Sequence, residues 1–197
     1  MTNTVIIEDH PLMAESIAGK VSKILPGYCM IVHSIEELAA GARDMSKVDL
    51  WIIDLELGKT SAWNFIEHLQ SEHPDACILL YTMHDSPWIG ERLRKSGVRL
   101  AVSKSDPVEN LDSALRAFRN GLSFYSPSFA DKDYRIPTFT SRELEVLRLI
   151  TEGLSTVQTA ARLGVTENTV LTYRKSLMEK FGVHKIADLM TLSRGLI

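Results

Sequence analysis

Five short apolar runs, separated by stretches of helical period, constrain the fold of the first 120 residues more than any other feature of this chain. The runs cover residues 5–7, 30–32, 50–53, 78–81 and 100–102. Strands that are apolar throughout need both of their faces buried, and alternation with helices is how parallel sheets achieve this. The pattern therefore predicts an α/β fold with a doubly wound sheet of five parallel strands, covered by helices on both sides.

The alternation stops after residue 120. Residues 121–138 are rich in glycine, proline and serine and lack helical period, so we interpret them as a linker. The remaining segment, residues 139–197, has helical period throughout. We therefore predict two domains, residues 1–120 and residues 139–197, joined by residues 121–138.

Helix start signals divide the second domain. Thr140 with Glu143, and Ser155 with Gln158, have the spacing of capping boxes. A third helix begins near Thr166, after a short turn that ends the second. Two helices separated by a short turn, inside a bundle of this size, predict a helix-turn-helix.

Composition limits where the chain works. No apolar run approaches the roughly 20 residues that span a bilayer, and the N-terminus lacks the pattern of a secretory signal, so we expect a cytoplasmic protein with no membrane partner. Cys29 and Cys77 each lie in an apolar run without metal-ligand spacing, and we expect two reduced, buried thiols. The formal net charge is -3, but residues 139–197 carry 8 lysines and arginines against 6 acidic residues. A mildly basic second half is compatible with nucleic-acid binding.

Polar residues follow four of the apolar runs, at the point where each strand should end. Glu8 and Asp9 follow the first, Asp54 the third, Thr82 the fourth and Lys104 the fifth. Ligands of open α/β sheets bind in the crevice outside the carboxyl ends of the strands, so these side chains should meet in one place. Three carboxylates so close together call for a hard divalent cation, and Mg²⁺ prefers oxygen ligands. Asp54 could then attack a phosphoryl group while the metal, Thr82 and Lys104 take the charge of its oxygens.

These motifs resemble the signature of response-regulator receiver domains over residues 4–120. The matching segments read Val-Ile-Ile-Glu8-Asp9-His-Pro, Asp54, Thr82-Met-His-Asp and Lys104-Ser-Asp. The resemblance implies a flavodoxin-like receiver in which a partner histidine kinase phosphorylates Asp54. It also implies that Glu8 and Asp9 bind Mg²⁺ with Asp54, and that Thr82 and Lys104 bind the phosphoryl group. Glu56 adds a carboxylate near the line of attack and is a further candidate metal ligand.

Two departures from the family pattern leave alternatives open. The acceptor is followed by Leu-Glu-Leu-Gly58, without the proline that the family usually carries, and Ala101 stands where many receivers have an aromatic residue. Both favour an alternative in which the receiver is an atypical dimerisation or ligand module that works without phosphorylation. A phosphatase that uses Asp54 as nucleophile would explain Glu56, two positions on, but gives no reason for a helix-turn-helix.

The second domain is similar to LuxR-type helix-turn-helix domains, and that output attached to a receiver is typical of the NarL/FixJ class. The resemblance rests on three segments: Phe139-Thr-Ser-Arg-Glu-Leu-Glu-Val-Leu, Gly153-Leu-Ser through Thr169-Val170, and Lys180-Phe-Gly-Val-His-Lys. Val170, Tyr173 and Leu177 recur at three- and four-residue steps and should face the core. That leaves four residues turned outward to the DNA major groove: Leu171, Thr172, Arg174 and Lys175.

Three of the outward residues have an expected role. Lys175 and Thr172 are candidate base readers, and Arg174 is a candidate phosphate contact. The apolar residues of the last helix, with Leu196 and Ile197, offer a strip to a second copy or to their own domain. We predict a transcription regulator, not an enzyme, that binds double-stranded DNA as a homodimer under phosphorylation control.

Overall fold

The computed structural model describes residues 1–40, 45–58, 60–85, 87–129, 138–181, 183 and 186–193. Its contacts divide the chain into two compact units, Met1–Tyr134 and Arg135–Ile197. The two units correspond to the two folds that the sequence predicts, and each is described by itself.

The first unit is built on a six-stranded parallel sheet in the order β2-β1-β3-β6-β7-β8. Its strands are β1 (Thr2–Ile7), β2 (Gly27–Val32), β3 (Leu50–Ile53), β6 (Cys77–Thr82), β7 (Leu100–Ser103) and β8 (Phe124–Tyr125). Its α-helices are α1 (Pro11–Ile24), α2 (Ile35–Ala40), α3 (Trp63–Glu72), α4 (Pro87–Lys95) and α5 (Glu109–Arg119). A separate hairpin pairs β4 (Glu56–Leu57) with β5 (Thr60–Ser61). All five predicted strands are present, and their order is that of a flavodoxin-like doubly wound sheet.

The core confirms that the strands are buried on both faces. On one side Ile6, Ile52 and Leu79 belong to a cluster with residues of α1 and α5 such as Ile17 and Leu115. Trp51, the neighbour of Ile52 in β3, points to the other face of the sheet. It is fully buried there, and its ring meets Phe65 of α3 edge-on, with centroids 5.8 Å apart. Neither face of β3 is left to water, which is why its sequence is continuously apolar. Of the two thiols, Cys77 is buried and Cys29 half-buried, and burial raises the pKa of both.

The sixth strand corrects the predicted linker. Residues Phe124 and Tyr125 pair with Leu100 and Ala101 of β7, and a 3₁₀ turn at Pro127–Phe129 buries the ring of Phe129. Residues 121–129 therefore belong to the first unit and are not part of a linker. A two-residue strand between glycine, serine and proline has too few residues to show a period of its own. The rest of the predicted linker, residues 130–137, lies outside the described residues.

The second unit is helical, as predicted. Its described helices are α6 (Ser141–Thr151), α7 (Thr156–Leu163), α8 (Glu167–Phe181) and α9 (Ile186–Ser193). Both predicted capping boxes are formed, Thr140 with Glu143 and Ser155 with Gln158. Gly164, with a φ of 66°, ends α7 in the left-handed region that glycine adopts without strain. This turn separates the two helices of the helix-turn-helix.

The core of the second unit differs from the prediction at Tyr173. Val170 and Leu177 are buried as expected, but Tyr173 is only half-buried. In α6, Val146 is buried and Leu144 is 40% exposed. Leu196 and Ile197 lie outside the described residues. No described helix of either unit is both long enough and apolar enough to cross a bilayer.

Candidate functional site

Lys104 lies between two buried carboxylates at the carboxyl edge of the sheet. Its Nζ is 2.6 Å from Oε2 of Glu8 and 2.7 Å from Oδ2 of Asp54, and all three side chains are buried. Burial opposes the charge on Lys104, but Asp54 and Glu8 outweigh it, so that the pKa of Lys104 is raised. The ammonium therefore stays protonated and holds two carboxylates that would otherwise repel each other.

The parallel register brings these residues together. Ile7 pairs with Ile53, and the amide of Asp54 continues the ladder by donating to the Ile7 carbonyl at 3.0 Å. On the other side, the amide of Lys104 donates to the carbonyl of Thr82 at 2.8 Å. Glu8, Asp54 and Lys104 thus each follow the last paired residue of their strands directly. Thr82 is itself the last residue of β6 and pairs with Ser103, so all four lie at the carboxyl edge of the sheet.

Asp9 faces the loop that follows the acceptor. Its Oδ2 accepts a hydrogen bond of 2.8 Å from the amide of Gly58. Gly58 has a φ of 61°, a conformation that other residues adopt only with strain. The glycine that departs from the family pattern thus supplies a contact to one of the predicted metal ligands.

Glu8, Asp9 and His10 form a compact group of potential ligands, with one ligand atom of each within 4.8 Å of the others. Nδ1 of His10 is 3.1 Å from Glu8 and 2.9 Å from Asp9, and chiefly the charge of Asp9 raises the pKa of His10. The carboxylate oxygens suit Mg²⁺, whereas a protonated imidazole adds positive charge beside them. His10 is not among the residues predicted for the site, although its position directly after two acidic residues is a signal.

Thr82 and Glu56 are linked through His84. The Thr82 hydroxyl is fully buried and accepts from the amide of His84 at 3.2 Å. Nε2 of His84 is 2.7 Å from Oε2 of Glu56, whose side chain is 48% exposed, and the amide of Glu56 donates to Asp54 at 3.3 Å. The structure therefore brings Glu56 to the rim of the site, with its carboxylate paired to His84. Its role as a metal ligand stays a prediction.

Ser103, which is not among the predicted site residues, connects the site to the segment that follows the sixth strand. Its hydroxyl donates to Oδ2 of Asp85 at 2.6 Å, on the loop that follows Thr82. Its amide donates to the hydroxyl of Ser126 at 2.9 Å. The carbonyl of the fully buried Ala101, where the family often has an aromatic residue, accepts from the amide of Ser126 at 2.9 Å. A serine next to the lysine motif is the signal that local sequence offers.

The four residues predicted to face DNA all lie on α8, and they differ in exposure and in their contacts. Leu171 is 50% exposed and the Lys175 side chain is 81% exposed, with its Nζ 3.8 Å from Glu179. The Thr172 hydroxyl donates to the Asn168 carbonyl at 2.9 Å. Nη1 of Arg174 donates to Oγ1 of Thr156, at the start of α7, at 2.6 Å. Leu171, Thr172 and Lys175 are exposed and Arg174 is half-buried. Two of the four, Thr172 and Arg174, are already hydrogen-bonded within the domain.

A buried carboxylate holds α8 against α6. Glu143 accepts from Lys180 at 2.7 Å, from Ser176 at 2.7 Å and from the Thr140 amide at 2.8 Å. Burial alone would raise the pKa of Glu143, but these hydrogen bonds, led by that from Lys180, lower it to about 2. The capping box of α6 is thereby also the anchor of the helix that the sequence predicts to read DNA.

A doubly wound sheet with this set of carboxylates, hydroxyl and lysine at its carboxyl edge defines a receiver domain. The family model for response regulator receiver domains matches residues 4–116, and that for bacterial regulatory proteins of the luxR family matches residues 137–193. The chain belongs to the response regulators, and a receiver followed by a LuxR-type domain is the NarL/FixJ class. Family membership also confirms a regulator and not an enzyme.

Curated relatives and solved structures agree with this family assignment. The transcriptional regulatory protein DesR of Bacillus subtilis is 31% identical over 149 residues, covering 74% of this chain and 73% of the relative. The DNA-binding transcriptional activator EvgA of Escherichia coli is 24% identical over 204 residues, covering 98% and 97%. RcsB of Salmonella enterica serovar Typhimurium, solved on a promoter with the phosphomimetic BeF₃⁻, is 25% identical with a TM-score of 0.74, covering 98% of each chain. Another solved structure contains two RcsB dimers on two parallel DNAs, at 25% identity and a TM-score of 0.71, again covering 98% of each chain.

Proposed function

We propose that this protein is a cytoplasmic, phosphorylation-controlled transcription regulator that binds specific double-stranded DNA as a homodimer. A sensor histidine kinase donates the phosphoryl group and Asp54 accepts it. The observation that carries the proposal is the buried Lys104 ammonium, 2.7 Å from the acceptor Asp54 and 2.6 Å from Glu8. A lysine in that position neutralises the acceptor before transfer and is available to the phosphoryl oxygens after it.

The chemistry follows from the surroundings of Asp54. A carboxylate oxygen of Asp54 attacks phosphorus, and the bond from phosphorus to the kinase imidazole breaks. Lys104 and the buried Thr82 hydroxyl bind the oxygens of the transferred group, which carry its negative charge. Mg²⁺ bound by Glu8, Asp9 and Asp54 would neutralise that charge further. We include Glu56 as a fourth ligand, which requires its carboxylate to leave His84.

DNA recognition belongs to residues 139–197. The outward face of α8 carries Leu171, Thr172, Arg174 and Lys175, and recognition helices of this class of motif enter the major groove. RcsB, a relative of similar fold, has been solved on DNA and as dimers on DNA, which supports the proposal for this chain. Dimerisation would join two recognition helices, so that two weak half-site contacts add up to a specific complex.

The test is to treat the full chain with acetyl phosphate and Mg²⁺ and to measure intact mass, sedimentation and DNA binding. We expect an acyl phosphate on the wild type, a shift towards dimer with beryllofluoride and tighter binding to specific DNA. Asp54→Asn should show none of the three changes. Wild type that forms no adduct but still binds DNA specifically would favour the phosphorylation-independent module. Steady phosphate release from many substrates would favour a phosphatase.

A further inference from the structure

We propose that α8 reads its DNA site chiefly through the 5-methyl groups of thymine, and that Leu171 is the side chain that sets this specificity. The inference rests on the proposed DNA binding and deepens it, because it names the chemical feature of the base pairs that is read. It also rests on which groups of the outward side chains of α8 are exposed and not already hydrogen-bonded within the domain.

The residues that share the outward face are Asn168, Leu171, Thr172 and Lys175, at steps of three and four along the helix. The Thr172 hydroxyl is bonded to the Asn168 carbonyl at 2.9 Å, so the group that Thr172 presents outward is its methyl. Leu171 is wholly apolar and 50% exposed. Two adjacent positions in the middle of the face therefore offer hydrocarbon, for which thymine methyl is the matching feature in the major groove.

Arg174 is less available for bidentate recognition of guanine than its type suggests. Its Nη1 donates to Thr156 at 2.6 Å, and the side chain is only partly exposed. This bond directs the guanidinium towards the start of α7, where phosphate contacts of a helix-turn-helix are made. Lys175 is exposed but makes a single flexible point contact, which suits phosphate or one guanine and cannot specify a run of bases alone.

A second apolar side chain lies at the same junction. Val157, 58% exposed, directly follows the Thr156 that holds Arg174. Single exposed apolar residues are ordinary on protein surfaces. Here Val157 is next to Thr156 in α7, and Leu171 lies three positions before Arg174 in α8. Contact with a thymine methyl would remove Leu171 from water.

Asn168 offers an alternative reading of A·T pairs, which the experiment must distinguish from contact with thymine methyls. Its exposed carboxamide could read the N6 and N7 groups of adenine, which would also favour A·T pairs. Replacing thymine by uracil in the duplex removes only the methyl group and leaves every hydrogen-bonding group of the A·T pair in place. The substitution therefore tests methyl contact and leaves adenine readout unchanged.

The experiment first selects duplexes from a random pool with the full chain activated by beryllofluoride. The selected duplex is then made with thymine and with uracil, and dissociation constants are measured for wild type, Leu171→Ala, Leu171→Met and Leu144→Ala. We expect wild type to bind the uracil duplex about fourfold more weakly per contacted methyl, the effect of roughly one buried methylene. Leu171→Ala should bind the thymine duplex less well and lose the preference, while Leu171→Met should keep it. Leu144→Ala, which removes an exposed leucine from α6, should match wild type.

Three outcomes would overturn the inference. Equal binding of the two duplexes by wild type, with discrimination against scrambled DNA intact, would exclude methyl reading while leaving the proposed DNA-binding function in place. A preference for thymine that survives in Leu171→Ala would exclude Leu171 as the reader. Failure to enrich any sequence would remove both the proposed function and this inference. Circular dichroism of each variant separates loss of contact from loss of fold.

Discussion

The amide of Ser103 donates a hydrogen bond of 2.9 Å to the hydroxyl of Ser126, and both residues are fully buried. This bond joins the strand that precedes Lys104 to the segment that leaves the receiver. The hydroxyl of Ser103 also donates to Asp85, in the loop that follows Thr82. Ser103 therefore contacts both a loop of the phosphoryl site and the segment that leaves the receiver. Ala101, which lacks the aromatic ring common in the family, lies within the same strand.

Ser126→Ala should destabilise the first unit. It removes the partner of the Ser103 amide, and an unsatisfied buried donor costs about 1–3 kcal/mol. The measurement is urea unfolding followed by tryptophan fluorescence, which reports the first unit because Trp51, Trp63 and Trp88 all lie there. Ser22→Ala, at an exposed serine of α1, is the matched control. Equal midpoints for both variants would show that the bond contributes nothing to stability.

Mg²⁺ should raise the melting temperature of the wild type, because a ligand that binds only the native state stabilises it. Asp9→Ala should lose most of this effect, since it removes one of the proposed ligands. Asp75→Ala, at an exposed aspartate outside the site, should respond as the wild type does. An unchanged Mg²⁺ response in Asp9→Ala, measured by calorimetry, would contradict the proposed metal site.

Glu56 and His84 should affect Mg²⁺ affinity in opposite directions. The 2.7 Å contact between them must open before Glu56 can bind a metal ion. His84→Ala should therefore strengthen Mg²⁺ binding, and Glu56→Gln should weaken it severalfold because the site loses a negative charge. Titration calorimetry of the full chain gives both values. If Glu56→Gln binds Mg²⁺ as wild type does, Glu56 is not a ligand.

Glu143 should make the second unit sensitive to acid. Its pKa falls from 4.5 to about 2 on folding, so its contribution to stability is present above pH 4.5 and is lost as the pH falls towards 2. The difference corresponds to about 3 kcal/mol. Amide exchange in α6 and α8, measured by mass spectrometry between pH 5 and pH 2.5 and corrected for the intrinsic rate (about tenfold per pH unit), should show protection falling with pH in the wild type. Glu143→Gln should have lower protection at pH 5 and a flatter pH dependence.

Arg174 and Lys175 should differ in how salt changes DNA binding. Arg174→Ala should weaken cognate and scrambled duplexes alike and lower the salt slope by about one unit per site, as expected for a phosphate contact. Lys175→Ala should cost about 1–3 kcal/mol at the cognate site and affect scrambled DNA less. Salt titrations of both variants on the two duplexes test this. Wild-type behaviour of both would mean that the recognition surface lies elsewhere.

Local sequence was sufficient for the strands and for the set of residues at their ends. An apolar run such as residues 50–53 specifies a strand buried on both faces, and the rule that ligands bind at the carboxyl edge then gathers Glu8, Asp54, Thr82 and Lys104. The capping boxes were predictable for the same reason, because Thr140 and Glu143 are three residues apart and interact within one turn.

Tertiary packing decided which of these side chains are in contact, and therefore which of their polar groups remain available to a ligand. Lys104 reaches Glu8 across 96 positions, Arg174 reaches Thr156 across 18, and Glu143 meets Lys180 across 37. The sixth strand, Phe124–Tyr125, is defined by its pairing with Leu100 and Ala101 of β7. Local period reports which face of an element is buried, but it carries no information on the partner across that face. Such pairings depend on how separate elements pack, and they exist only once the chain has folded.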